Sequence, residues 1–148
     1  MSKSALGDVI ALDLTETFWG GIAAAILGDF GADVVKVESI DPTQRRFPDV
    51  DDTHEPGSWN FRFDLANRNK RSVAVDLESE EGRALVHALV AKADLVITDR
   101  PAVWLDAHAL DHESCRKQRS DILYICGSGF GPAGLDAELP ALDELAAA

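Results

Sequence analysis

The chain has 148 residues, the size of one ordinary domain, and 46% of them are apolar, which is enough for a hydrophobic core. Its 26 acidic and 14 basic residues give a net charge of −12, so nucleic acids and anionic membranes are poor partners because both carry negative charge. With two cysteines, no signal-peptide-like start and no apolar run of roughly 20 residues, we expect a soluble cytoplasmic protein without disulfides.

The first part of the chain predicts a strand, a helix and a second strand. The apolar run Val9–Leu14 is typical of a buried strand. Apolar residues on one side of Gly20–Asp29 predict a helix, and Gly31 fits the position just after it, where φ is positive. The run Asp33–Glu38 predicts the second strand.

Residues 39–71 differ from the rest of the chain, because they contain three prolines, many charges and little periodicity. A loop of this length is usually functional or is a linker. Six of the fourteen basic residues fall in residues 45–71: Arg45, Arg46, Arg62, Arg68, Lys70 and Arg71. Such a patch, and above all the stretch Asn67–Ser72, can receive a phosphorylated cofactor or can serve only to fix the loop. The residues alone leave both interpretations open.

Regular structure is predicted again after residue 71. Its elements are a strand at Ser72–Leu77, a helix capped by Ser79, a strand at Asp94–Thr98, a short helix from Pro101, a helix capped by Asp111, a strand at Ile122–Cys126 and the start of a helix at Pro140–Ala148.

Five strands separated mostly by helices predict an α/β fold with a Rossmann-like, doubly wound, mainly parallel sheet. Ligands of such sheets bind beyond the carboxyl ends of the strands. We therefore expect a site among residues 15–20, 39–41, 76–78, 98–101 and 127–131.

Two motifs, one typical of a dinucleotide-binding loop and one of a metal site, are weak evidence for these sites because their neighbouring residues do not fit. The glycines at 129, 131 and 134 match the spacing of a dinucleotide-binding loop, but Pro132 does not fit the helix that should open there. His108 and His112 have the four-residue spacing of a metal site, but Asp111 between them is expected to begin a new helix. We therefore expect a glycine turn, surface histidines and no metal.

Neither cysteine has the neighbours of a catalytic nucleophile. Cys126 lies in a predicted buried strand and is expected to be inert. Cys115 follows Ser114 in a predicted helix and has Arg116 and Lys117 beside it, which are expected to lower its pKa slightly.

Several short segments, in this order and spacing, resemble the family III CoA-transferases, the carnitine and bile-acid (CaiB/BaiF) group that also includes the α-methylacyl-CoA racemases. The segments are residues 9–15, 27–38, 67–77, 81–83, 93–97, 128–131 and 140–143. The resemblance covers nearly the whole chain.

The resemblance implies a Rossmann-like large domain, interlocked dimers of full-length subunits, and an acyl-CoA and a carboxylic acid as substrates. CoA is then carried between acids, or the acyl-CoA is epimerised. The CoA-contacting segments of the family map to Phe18, Trp19, Ser39, Val75, Asp76, Leu77, Glu78, Asp99, Arg100, Pro101 and Ser128.

The chain also departs from the family pattern. Two arginines that hold the CoA nucleotide in many members correspond to Ser39 and Ala107, and Arg45, Arg46 or Arg100 are candidates to replace them. The family's catalytic aspartate would fall after the last residue of this chain, and Asp143 matches an earlier position, so no catalytic residue is predicted.

We therefore expect residues 1–148 to be the N-terminal Rossmann-like portion of a family III CoA-transferase or racemase-like protein, without the family's small domain and C-terminal part. Such a chain contributes part of a CoA site, as a homo-oligomer or with a second chain that supplies the rest. One alternative is a non-catalytic CoA-binding or assembly subunit that needs a partner chain. Another is an unrelated small α/β nucleotide-binding protein.

Overall fold

The architecture is seen in a computed structural model that describes residues 4–41, 60–131 and 134–137. Within these ranges, five strands form one parallel sheet in the order β3-β2-β1-β4-β5. The strands are β1 (Ile10–Asp13), β2 (Asp33–Ser39), β3 (Lys70–Val75), β4 (Leu95–Thr98) and β5 (Leu123–Cys126). The predicted Rossmann-like α/β fold class is confirmed. Arg45, Arg46, Asp143 and the predicted terminal helix lie outside the described residues.

Helices follow most strands: α1 (Phe18–Asp29), α2 (Phe61–Asn67), α3 (Glu80–Val90), α4 (Ala102–Ala107) and α5 (His112–Gln118). The predicted caps are confirmed, because the side chains of Ser79 and Asp111 accept hydrogen bonds from the first-turn amides of α3 and α5. Gly31 follows α1 with a φ of 98°, as expected.

The prediction of irregular structure through residue 71 is wrong at its C-terminal end. Asn60 caps the short helix α2 by accepting a hydrogen bond from the amide of Phe63. Strand β3 then begins at Lys70, two residues earlier than expected, because the backbone there pairs in register with β2.

Each face of the sheet packs against helices, as is usual for parallel strands. On one face, Leu12, Val35 and Val96 of the sheet pack with Val86 and Val90 of α3. On the other face, a second cluster lies mainly beneath α1 and consists of Ala11, Ala24, Ala32, Val34, Leu95 and Ile97. Fully burying a valine or leucine side chain contributes about 1.5–3 kcal/mol, so these clusters fix the helices on the sheet.

In the part of the chain that the structure describes, we find no helix with the length and hydrophobicity of a membrane span.

Candidate ligand-binding site at the carboxyl edge of the sheet

All five strands point the same way, so the segments that follow them meet at one edge of the sheet. The chain runs from β1 outward through β2 and β3, and then returns to β4 on the other side of β1. The strand order therefore reverses between β1 and β4, and such a switch point opens a crevice for ligands. The loops at this crevice are residues 14–17 and 99–101.

Two carboxylates hold the loop between β1 and α1. The Asp13 carboxylate accepts hydrogen bonds from the amide and the hydroxyl of Thr15, at 2.9 and 2.6 Å. The Asp99 carboxylate accepts bonds from the amides of Glu16 and Thr17, at 2.7 and 2.9 Å, and from the Thr17 hydroxyl at 2.5 Å. The side chain of Asp99 is thus used to fix this loop.

A pocket of about 370 Å³ lies beside the crevice. The described residues that line it are Ser39, Ile40, Asp41, Asp76, Leu77, Glu78, Arg100 and Trp104. They come from the ends of β2 and β3 and from the start of α4, so three loops build one wall. Among these described lining residues, Arg100 is the one cation, and three of the others are carboxylates.

The guanidinium of Arg100 is packed between a carboxylate and an aromatic ring. Its Nη2 lies 2.8 Å from Oε1 of Glu16, and its Cζ lies 4.1 Å from the ring centroid of Trp104. Nε of Arg100 is buried without a hydrogen-bond partner among the described residues. Burial lowers the pKa of Arg100, and the nearby charge of Glu16 opposes this shift. Burial raises the pKa of Glu16, and the charge of Arg100 opposes that shift.

Trp104 is held in the wall by His108. The two rings stack with centroids 4.1 Å apart, and Nδ1 of His108 donates to the carbonyl oxygen of Trp104 at 2.8 Å. Nε2 of His108 lies 3.4 Å from the carboxylate of Glu78, another residue that lines the pocket. The expectation of a surface histidine is wrong for His108, which is buried because of this stacking.

The helix start at His112 separates the two histidines, as predicted from Asp111. Within the described ranges, no cluster of three or more histidine, cysteine or carboxylate side chains is placed to hold a metal ion.

Two glycines let helices approach this edge closely. A Cβ on Gly82 of α3 would overlap the carbonyl oxygen of Asp76 in the pocket wall. A Cβ on Gly20 of α1 would overlap the carboxylate of Asp99. Side chains at these positions would therefore displace the loops that form the site.

The lowered pKa expected of Cys115 and the burial expected of Cys126 are both wrong. Cys115 is completely buried, and burial raises its pKa to about 11, because Arg116 and Lys117 point into solvent and do not offset the desolvation. Cys126 is exposed, because β5 is the last strand at its side of the described sheet.

The cations of the stretch Asn67–Ser72 are engaged within the protein. Lys70 donates to Asp13 at 2.6 Å and to the carbonyl oxygen of Gly21 at 2.9 Å. Arg71 pairs with Asp33 at the surface. These contacts favour the interpretation that the stretch fixes the fold.

Five of the residues implied by the resemblance come together in the pocket wall: Ser39, Asp76, Leu77, Glu78 and Arg100. The others lie elsewhere on the same edge: Val75 is buried at the end of β3, Asp99 fixes the β1–α1 loop, Pro101 precedes α4, Phe18 and Trp19 open α1, and Ser128 follows β5. Whether any of them contacts CoA stays a prediction.

Glu16 and Asp41 fall in the strand-end segments expected to form the site, although neither was singled out, and Trp104 was missed. For Trp104 a signal exists, since it lies in the short helix predicted from Pro101, directly after the strand-end segment 98–101. The pairing of Glu16 with Arg100 has no such signal, because the fold alone brings the two residues together.

Comparisons with known proteins agree on one family. Residues 6–148 match CoA-transferase family III. The chain is 36% identical over 129 residues to succinyl-CoA:mesaconate CoA-transferase of Haloarcula hispanica, covering 86% of this chain and 32% of that protein. It is 34% identical over 145 residues to succinate–glutarate CoA-transferase of Agrobacterium fabrum, covering 95% and 36%.

Solved structures show the same relationship. A CaiB/BaiF family protein from Brucella suis superposes with a TM-score of 0.82 at 34% identity, and the match covers 97% of this chain and 38% of that one. The chain spans about a third of the length of the curated relatives it matches. On the strength of the family match over nearly all its residues, the chain belongs to CoA-transferase family III.

Proposed function

We propose that this chain supplies the nucleotide-binding part of an acyl-CoA site in a CoA-transferase, whose substrates are an acyl-CoA and a carboxylic acid. The observation that carries the proposal is the pocket at the carboxyl edge, where Arg100 lies against Trp104 and faces the ends of β2 and β3. The pocket lies beside the switch point of the sheet, where α/β folds of this type bind nucleotides.

The lining residues suit the nucleotide end of CoA in two ways. A guanidinium is a strong donor to phosphate oxygens, and Arg100 supplies it. The hydroxyl of Ser39 and the carboxylates of Asp76 and Glu78 offer acceptors for ribose hydroxyls and for the adenine amino group. The β1–α1 loop is tied to the pocket residue Arg100 by the ion pair with Glu16, and the bonds to Asp99 fix the backbone of this loop.

The described residues bind and orient in this proposal and carry no covalent step. A transferase of this family uses a carboxylate nucleophile that attacks the acyl-CoA carbonyl and releases CoA thiolate. We match no described carboxylate to that role: Asp13 and Asp99 both fix the β1–α1 loop, and the Glu16 carboxylate is paired with Arg100. The nucleophile is then contributed by polypeptide corresponding to the unmatched part of the relatives.

Calorimetric titration with CoA tests the proposed site. We expect weak, salt-sensitive binding to the wild-type chain, because a phosphate on few cations is screened by salt. Arg100→Met should weaken the binding severalfold. Arg119→Met is the matched control, because Arg119 also pairs with carboxylates but lies at the amino edge of the sheet. Equal affinities of the wild-type chain and Arg100→Met, or no heat at millimolar CoA from a chain that circular dichroism shows to be folded, would refute the proposal.

In the described part of the chain, β5 has an exposed apolar face, which supports a second polypeptide as partner. Leu123 and Ile125 are 64% and 46% exposed, although they pair in register with Leu95 and Ile97, which α1 buries on the same face. We propose that polypeptide corresponding to the unmatched two thirds of the relatives covers this face. Two copies of this chain are a less favourable pair, because each carries a net charge of −12.

Light scattering after co-expression with a polypeptide spanning the last two thirds of a relative tests this partner. A one-to-one complex that is lost in Leu123→Asp and kept in Leu85→Asp, an exposed leucine on α3, is the expected result. A dimer of this chain alone, or a chain that stays monomeric and does not bind the added polypeptide, would contradict the proposed partner. CoA binding without any complex would favour the alternative of a non-catalytic CoA-binding subunit.

A further inference from the structure

The cation of the proposed site is already occupied by a carboxylate of the same chain. Glu16 and Arg100 bridge the two loops at the switch point, with 2.8 Å between Oε1 and Nη2. The side chain of Arg100 is only 12% exposed, whereas that of Glu16 is 34% exposed. The guanidinium is therefore enclosed, whereas the Glu16 carboxylate is partly open to solvent.

Glu16 can release Arg100 without disturbing the loop. Its backbone amide is fixed by the Asp99 carboxylate at 2.7 Å, and its neighbour Thr17 is fixed by the same group. In the part of the chain that the structure describes, the side chain of Glu16 makes no contact of this kind besides the pair with Arg100. A change of rotamer thus moves the Glu16 carboxylate into solvent while the β1–α1 loop stays in place.

The present arrangement also leaves the guanidinium incompletely satisfied. Nε of Arg100 is buried without a hydrogen-bond partner in the described part of the chain, although a guanidinium has five donors and buried donors are normally bonded. The other charged side chains among the described lining residues are the carboxylates of Asp41, Asp76 and Glu78. A phosphate that enters while Glu16 remains paired therefore meets a neutralised cation among carboxylates.

We infer that Glu16 competes with the ligand's phosphate for the guanidinium of Arg100 and thereby sets the affinity of the site. The inference rests on the proposed function, since it concerns the same pocket. It assigns Glu16 as an affinity-determining residue: the ligand binds when its phosphate displaces the Glu16 carboxylate from Arg100. Replacing Glu16 by a neutral side chain then tightens the binding of phosphate-bearing ligands.

The experiment compares two probes on the wild-type chain and Glu16→Gln by calorimetry. The probe 3′,5′-ADP carries the 3′-phosphate and the first 5′-phosphate of the nucleotide end of CoA, and adenosine carries no phosphate. Glu16→Gln should bind 3′,5′-ADP about two- to fivefold more tightly, the scale of a partly exposed ion pair, and should bind adenosine with unchanged affinity. The gain should vanish when Arg100→Met is present as well.

Asp121→Asn is the matched control, because it also removes a carboxylate that pairs with an arginine, but at the amino edge of the sheet. It should leave both affinities at the wild-type values. If Glu16→Gln fails to fold, Glu16→Ser repeats the test, because the bonds of the loop to Asp99 involve the backbone at this position.

The outcomes separate this inference from the proposed function. Binding of 3′,5′-ADP that is unchanged or weaker in Glu16→Gln overturns the competition and leaves the site in place. Tightening that persists in the Arg100→Met background also overturns it, because the effect then does not pass through Arg100. No binding of 3′,5′-ADP to any of the folded variants overturns the proposed function, and the competition with it.

Discussion

Replacing Lys70 by methionine should destabilise this protein far more than replacing its neighbour Arg71 by alanine. Lys70 is only 2% exposed, and its ammonium donates to the buried carboxylate of Asp13 and to the carbonyl oxygen of Gly21. These contacts join β3 to β1 and α1. Arg71 is 69% exposed and pairs with Asp33 at the surface, where ion pairs contribute little.

The magnitude follows from the surroundings of Asp13. Removing one partner of a buried ion pair costs about 3–5 kcal/mol, because the other charge stays buried without compensation. Here Lys36 remains 3.7 Å from the same carboxylate oxygen, so we expect the lower end, about 3 kcal/mol. For a chain of this size, that loss lowers Tm by about 6–12 °C. Methionine keeps the apolar stem of Lys70, so the change reports mainly on the charge.

Thermal unfolding followed by circular dichroism measures the difference, with Arg71→Ala as the control on the adjacent residue. Below their respective Tm values, both variants should bind CoA as the wild-type chain does, because both cations are engaged within the protein. An unchanged Tm of Lys70→Met together with lost CoA binding would refute the reasoning, since Lys70 would then serve the ligand and not the fold.

Three further predictions concern local features. Asp111→Ala should lose about 1 kcal/mol of stability at about pH 7, as loss of a helix cap does. Hydrogen bonds from Ser114 lower the pKa of Asp111, so its charged form contributes stability at pH values above the unfolded pKa of about 4. The difference in Tm between Asp111→Ala and the wild-type chain should therefore shrink as the pH falls below that pKa. Iodoacetamide should label exposed Cys126 in the native chain at about pH 8 and spare Cys115, whose pKa is about 11, and equal labelling in peptide mapping would contradict the burial of Cys115. Gly82→Ala should weaken CoA binding, because the added Cβ displaces the pocket wall. A CoA affinity equal to that of the wild-type chain would contradict this close approach.

The alternation of strands and helices was predictable from short apolar runs and capping residues. Ser79 and Asp111 begin helices where their side chains can accept first-turn hydrogen bonds, and that information is local. The edge that holds the pocket was predictable from topology, because parallel strands bring their carboxyl ends together.

The remaining features depend on contacts between distant parts of the chain. Helix α2 was missed because it is only seven residues long and follows a proline-rich stretch. The pKa of Cys115 was predicted with the wrong sign, because neighbouring charges are visible in the sequence and complete burial is not. The pairing of Glu16 with Arg100 requires the return of β4 to the side of β1, which no local pattern encodes.

The central claim is that the pocket at the carboxyl edge receives the nucleotide end of CoA. Titration of the isotope-labelled chain with CoA, followed by amide nuclear magnetic resonance, tests it most directly. The account predicts that the largest shift changes fall on residues 39–41, 76–78 and 100, and that Asp33 and Asp121 at the amino edge stay unchanged. Shift changes confined to the amino edge, or none at millimolar CoA in a folded chain, would contradict it.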